Sequence, residues 1–229
     1  MPASKTASGE ITLQRIGRAM ARVPVVGTTP LIVHKFSAKA QQAMLDKHMG
    51  KTVTREHKDP EALFQGAQHF MEDGTPGLPA VAFKAAIVDA ARFFPGSKLT
   101  MVGLRRMVLV NGERGNDKLN RSLLTRIYGE YRDDHAKLEP AVAVMRQDVA
   151  RNDSGVADIR FRPEFDPWCA VLEVVYLKSI FTLETIVNLV DAAGINGVGE
   201  WRPASKESNT GSYGTWQVPD GADVREVVL

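Results

Sequence analysis

With 229 residues, 44% of them hydrophobic, the chain is long enough to bury a sizeable core in one large domain or two small ones. Its single cysteine, Cys169, has no partner within the chain, no apolar stretch approaches the roughly 20 residues that span a bilayer, and the opening MPASKTASGE carries no hydrophobic signal region, so an internal disulfide and a membrane partner are excluded and a cytoplasmic protein is expected. The net charge of +2 conceals a division: residues 1–126 hold 19 Lys and Arg against 10 Asp and Glu, residues 127–229 hold 10 against 17, and the two parts carry +9 and −7.

Residues 1–10 read as a polar, disordered tail before a single domain over 11–229. From Ile11 to Phe36 the chain is extended in character. Arg18, Met20 and Arg22 alternate with Ala19, Ala21 and Val23, which puts both arginines on one strand face, and VPVV and PLIV flank a GTTP turn. SAKAQQAMLDKHMGK (37–51) has a serine cap and helix-forming residues, KTVTREHKDP reads as a loop, and a short helix is predicted over 60–71. DGTPGLP then forms turns. In the helix that follows, Phe83, Ala86, Ile87, Ala90, Ala91 and Phe94 recur at spacings of three and four, making one core-facing stripe with Lys84 and Arg92 off it. KLTMVGLRRMVLV (98–110) reads as a strand with Arg105 and Arg106 on opposite faces.

Residues 111–139 hold six basic and six acidic residues around an amphipathic pattern of Leu124, Ile127, Tyr128 and Tyr131. They read as an inserted excursion whose apolar stripe packs on its own domain or on a neighbouring subunit. VAVMRQDVA, an NDSG turn and ADIRFRPEF predict a hairpin with Ile159 and Phe161 on one face and Arg160 and Arg162 on the other. CAVLEVVYLK is a nearly continuous apolar run, hence a central strand. In FTLETIVNLVDAAG, Thr182 caps a helix, Phe181 staples onto Ile186, Gly194 supplies a left-handed C′ position, and Leu183, Ile186, Val187 and Val190 face the sheet. YGTWQV closes as a strand. Strand, helix, glycine-rich connection and strand make a β-α-β unit of the ferredoxin-like type, and the strand over 18–35 with the helix over 79–94 supplies the other half. The expected fold class is α+β: a ferredoxin-like, RRM-like antiparallel sheet with helices on one face and an inserted excursion.

The connection GINGVGEWRPASKESNTGSYGTW (194–216) holds five glycines and two tryptophans. Gly197 and Gly199 let backbone approach a ligand and offer amide donors, Arg202 and Lys206 can neutralise phosphates, and Trp201, Tyr213 or Trp216 can stack on bases, a set that suits single-stranded nucleic acid. The alternative is a tight turn with its tryptophans in the core. Arg18, Arg22, Lys35, Lys84 and Arg105 are further candidates for phosphate contact, with Trp201 the candidate for stacking. The glycine spacing is not that of a Walker loop, GINGVG does not precede a helix, and no CxxC, HxxxH or carboxylate cluster is present, so neither cofactor nor metal is expected.

TTPLIVH (28–34), DGTPGLPAVAFKAAIVDAAR (73–92), the β-α-β unit and GVGEWRPASKESNTGSYGTW (197–216) together resemble the RAMP superfamily, and within it the guide-RNA-binding backbone subunits of CRISPR effector complexes in antiviral defence. The first is similar to a first strand that precedes a ligand-lining loop, the second to an aspartate, proline, small loop and lysine-containing helix, the last to a carboxyl-terminal glycine-rich loop. Glu200 and the polar stretch ASKESNT depart from that loop, and the chain is short for such a subunit, as a divergent relative, phage-encoded or otherwise, would be. The resemblance implies RNA bound across the sheet through sequence-independent contacts, copies assembled as a filament, and other effector-complex subunits as partners. It puts His34 and Lys35 after the first strand, Lys84 at the start of the ligand-lining helix, and Gly197, Gly199 and Arg202 on the glycine-rich loop.

The function expected is therefore non-catalytic binding of single-stranded RNA or DNA by repeated copies of the chain. One alternative is a RAMP-type endoribonuclease with His34 as general acid or base, although the family's cleaving aspartate has no clear counterpart after His34. The other is a structural protein that assembles through its charge-divided halves without nucleic acid.

Overall fold

A computed structural model describes residues 16–51, 59–95, 99–117, 121–151, 157–205 and 211–229. The expected tail, most of the KTVTREHKDP loop and the NDSG turn lie outside these described residues. In chain order the elements are β1 (Arg18–Gly27), β2 (Leu31–Ile32), α1 (Ala38–His48), α2 (Pro60–Gly66), β3 (His69–Phe70), β4 (Pro76–Pro79), α3 (Ala80–Asp89), α4 (Met101–Met107), β5 (Val108–Val110), β6 (Glu113–Arg114), β7 (Leu123–Arg126), β8 (Val144–Arg151), β9 (Ala157–Phe165), β10 (Cys169–Leu177), α5 (Leu183–Ala193), β11 (Trp216–Gln217) and β12 (Arg225–Val228). The chain is thus α+β, with antiparallel sheets.

Alternation in RAMARVPVV orients β1. Ala19, Ala21, Val23 and Val25 are fully buried, while Arg18 and Arg22 point away from the core. β10 pairs antiparallel along β1 from Leu177 opposite Arg18 to Cys169 opposite Val26, so Tyr176, Val174, Leu172 and Ala170 join the same buried face. On its other side β10 pairs with β5, which makes it an interior strand as its apolar run predicts. β11 and β12 both pair antiparallel to the free edge of β1, and the main sheet runs β11-β1-β10-β5. α3 lies on the path from β1 to β5 and α5 joins β10 to β11; the two helices pack on each other and on this sheet. Each helix therefore links two strands that run parallel with one strand between them.

The local signals of α5 act as expected at its start: Thr182 Oγ1 accepts from Thr185 N at 3.2 Å, and Ile186, Leu189 and Val190 are buried. Its end differs from expectation. Gly194 is right-handed (φ −58), and glycine is needed there because a Cβ would lie 1.8 Å from the Trp216 carbonyl oxygen. Trp216 is itself core, with its ring edge-on to Phe83 at 5.6 Å and its Nε1 donating to Val190 O at 3.0 Å.

Three further expectations are corrected. The stretch 98–110 is a helix, α4, that passes directly into β5: Thr100 Oγ1 accepts from Gly103 N at 3.0 Å, and Met101, Leu104 and Met107 turn one side inward at a spacing of three. Arg105 and Arg106 therefore sit exposed in the last helical turn, not on two faces of a strand. The helix predicted over 60–71 ends at Gly66, because His69–Phe70 is drawn into pairing with Pro76–Pro79 in the stretch expected to form turns only. The excursion is sheet where its apolar pattern was helical: β7 pairs with β4 and β6, burying Leu124 and Ile127 against the chain's own core. Among the described residues no helix is long and apolar enough to cross a membrane.

Candidate functional site

β2 lies at the edge of a second sheet, β2-β9-β8, and the chain continues along β9 through Val33, whose N donates to Pro163 O at 3.0 Å, to His34; α3, α4 and the connection after α5 supply the other walls of a shared recess. These segments enclose a cleft of about 810 Å³, lined among others by His34, His69, Lys84, Arg92, Arg105, the Gly197–Gly199 backbone, Glu200 and Arg202. Arg92 Nε lies 2.8 Å from Asp89 Oδ1, and Arg202 Nη1 donates to Gly199 O at 2.8 Å. Neither Lys84 nor Arg105 has an ion-pair partner among the described residues. The cleft thus carries cationic side chains on both helices and on the glycine-rich connection.

The connection is shaped by its own docking. Gly197 and Gly199 have φ of +66 and +77, a left-handed region that favours glycine. A Cβ on Gly199 would lie 2.3 Å from Ile32 O, the carbonyl that accepts from Glu200 N at 2.8 Å. Of the two glycine amides expected to be available, Gly197 N donates to Gly194 O at 3.3 Å, and the neighbouring Val198 N donates to Gly214 O at 2.9 Å.

Six of the residues singled out from the sequence share this cleft: His34, Lys84, Arg105, Gly197, Gly199 and Arg202. Five do not. Arg18 and Arg22 lie on the face of the main sheet turned away from its helices, where Arg22 Nη2 is 2.8 Å from Glu173 Oε1. Lys35 Nζ is 2.7 Å from Asp117 Oδ2, both side chains largely buried. Trp201 is half-buried beside the cleft, and Lys206 lies outside the described residues.

Behind the cleft wall stands a charged cluster that the sequence reading did not single out. The β8–β9 hairpin turns its arginine face inward and leaves Val149 and Ile159 70% and 43% exposed, the reverse of the usual amphipathic strand. Arg162 is only 1% exposed and Asp148 5%. Arg146 Nε donates to Asp148 Oδ1 at 2.8 Å and its Nη2 to the Tyr213 hydroxyl at 3.2 Å, while Arg162 Nη2 lies 3.3 Å from Glu200 Oε2. Both guanidinium groups lie 5.3 Å from the Trp201 ring, so this ring, held at φ +52, already stacks with cations. Glu200, which fits poorly in a polyanion-binding loop, is the counter-ion of a buried arginine. The cross-strand alternation of Arg146, Asp148, Arg160, Arg162 and Glu164 was the available signal for this cluster.

His34 at the cleft mouth titrates below the usual imidazole value, first through loss of hydration and then through repulsion from Arg162, with Glu200 offsetting part. Burial, with Lys35 next, lowers His69 to about 4. Among the described residues no group of three or more His, Cys, Asp or Glu is arranged to hold a metal ion. No match to the chain is found among protein-family models or among curated proteins.

Proposed function

We propose that the protein binds single-stranded nucleic acid, RNA by its resemblance to RAMP backbone subunits, in the cleft between α3, α4 and the glycine-rich connection, without catalysing a reaction. The observation that carries this reading is the convergence of Lys84, Arg105 and Arg202 on one cleft, two of them without an ion-pair partner among the described residues. Cations free of protein partners gain most from a phosphate, and the release of the strand's counterions makes such binding salt-dependent. The sheet order β11-β1-β10-β5 with α3 and α5 packed on it supports a ferredoxin-like fold, the frame of RRM-type modules. Assembly of copies along a strand belongs to the same reading and follows from the resemblance.

Polarisation of a labelled 12-residue oligo(U) across a salt series tests it. The wild-type affinity should fall steeply with salt, and Lys84→Ala and Arg105→Ala should each flatten the slope by about 0.7. Arg22→Ala, on the other face of the sheet and already paired with Glu173, should leave the slope unchanged. Absence of binding at low salt would sink the reading. An endoribonuclease keeps a specific point in its favour: an imidazole at the cleft mouth that is neutral near pH 7, as a general base must be. Cleavage of labelled RNA that is lost in His34→Ala would decide for the enzyme.

A further inference from the structure

We propose, on the strand-binding reading of the cleft, that Glu200 is an internal occupant of an anion site belonging to Arg162, and that a phosphate group of the bound strand takes its place.

The Arg162 guanidinium is buried and poorly satisfied. Its Nη2 lies 3.3 Å from Glu200 Oε2, and its Nη1 lies 3.6 Å from Asp148 Oδ2, too far for a hydrogen bond. Its Nε and Nη1 have no hydrogen-bond acceptor among the described residues. Asp148 is oriented by Arg146, whose Nε holds its Oδ1 at 2.8 Å. A guanidinium has five donors in a planar fork that matches two oxygens of a phosphate. Arg162 therefore keeps donor capacity that no group among the described residues meets.

Glu200 stands between this arginine and the cleft. Its side chain is 36% exposed and lines the cleft wall. Its backbone is fixed separately through Glu200 N donating to Ile32 O at 2.8 Å, so the carboxylate can swing away by rotation of the side chain alone, with the connection still docked on β2. Trp201 covers the guanidinium from another side. A carboxylate among Lys84, Arg92, Arg105 and Arg202 weakens the field that would draw in a polyanion, and its departure strengthens that field while exposing one more cation. Glu200 thus acts as a competitor built into the site, released only by a ligand that supplies an anion at this point of the cleft.

Glu200→Gln keeps the shape and one acceptor oxygen while removing the charge. Asp89→Asn makes the same change in charge on the same cleft, at a carboxylate paired with Arg92 and not with Arg162. In the oligo(U) assay Glu200→Gln should tighten binding roughly three- to tenfold and steepen the salt slope by about 0.7, with a clearly smaller gain for Asp89→Asn. In an Arg162→Lys background, checked for an intact thermal transition, Glu200→Gln should add no more than Asp89→Asn does. Equal gains from the two wild-type-background variants, or none from Glu200→Gln, would overturn the competitor role even where wild-type binding stands.

If neither wild type nor Glu200→Gln binds the oligonucleotide, strand binding itself fails, and inorganic phosphate then decides the anion site. The ring of His34, which feels both Arg162 and Glu200, is the reporter by NMR. Phosphate should move its resonances at lower concentration in Glu200→Gln than in wild type; superimposable titrations would refute the site.

Discussion

His69 shows how one buried side chain couples folding to pH. It is 8% exposed on β3, and burial first, then Lys35, disfavour the imidazolium, lowering its pKa from 6.5 to about 4 while Asp117 offsets part. Above 6.5 both folded and unfolded chains carry a neutral ring. Between 6.5 and about 4 the unfolded chain takes a proton that the folded chain refuses, so stability falls as pH drops through that window, by about 3 kcal/mol at its lower end. Urea melts from pH 7.5 to 4.5 should show the loss, and His69→Gln should remove most of it, leaving a smaller decline in the same direction from His34. Asp73, held at about 2 by Arg126, loses its contribution only below the ordinary carboxylate range and so does not mask the effect. Gly199 has a structural role of a different kind. Alanine there would have to keep φ +77, at about 1–2 kcal/mol, and also bring its Cβ to 2.3 Å from Ile32 O. Gly199→Ala should lower the melting temperature sharply, whereas Lys84→Ala, removing only a partly exposed cation, should not.

At the scale of elements, the hairpin β8–β9 is the sharpest test of how charge is buried. Asp148 accepts from Arg146 Nε and is the nearest carboxylate to Arg162 Nη1, at 3.6 Å, so Asp148→Ala removes a buried counter-charge from both guanidinium groups and should cost on the order of 3 kcal/mol in urea denaturation. Ile159→Lys, on the outer face of the same strands, should stay within about 0.5 kcal/mol of wild type. An equal cost for both would mean that the hairpin does not bury its polar face. This inversion was invisible in the chain because alternation assigns residues to two faces without saying which face is covered. α5 was legible because cap, apolar spacing and length agree over eleven residues. In KLTMVGLRRMVLV the helical spacing of Met101, Leu104 and Met107 spans barely two turns and competes with a β-branched run, so only the Thr100 cap separated the two readings. Much of the cleft was readable residue by residue, since His34, Lys84, Arg105 and Arg202 were each marked by type and local context. The Arg162–Glu200 pairing was not, because it joins a hairpin to a connection some forty residues away whose approach depends on Gly199 and the left-handed turn at Trp201.

At the scale of the whole molecule, the basic and acidic parts of the sequence are interleaved in the main sheet. β1 and β5 come from the basic part and β10, β11 and β12 from the acidic part, and the sheet order alternates them. Self-association can also rest on local surfaces, and the exposed edge of a sheet is a strong one. β12 protects one such edge, pairing Val228 to Arg225 against Ala19 to Arg22, and it is tied down further by Glu226, which accepts from the Tyr176 hydroxyl and from Lys178 Nζ at 2.6 Å. Deleting residues 222–229 strips that cover from a strand whose inward residues Ala19, Ala21 and Val23 stay buried, so the core should remain folded while four residues of β1 lose their partners. Sedimentation velocity should show concentration-dependent association of the truncated chain beyond that of the full chain under the same conditions. A proline at position 20 of the truncated chain, on that uncovered edge, should suppress the added association by removing a donor and blocking further pairing. If truncation leaves the sedimentation profile unchanged, β12 is not what keeps this edge of the sheet closed.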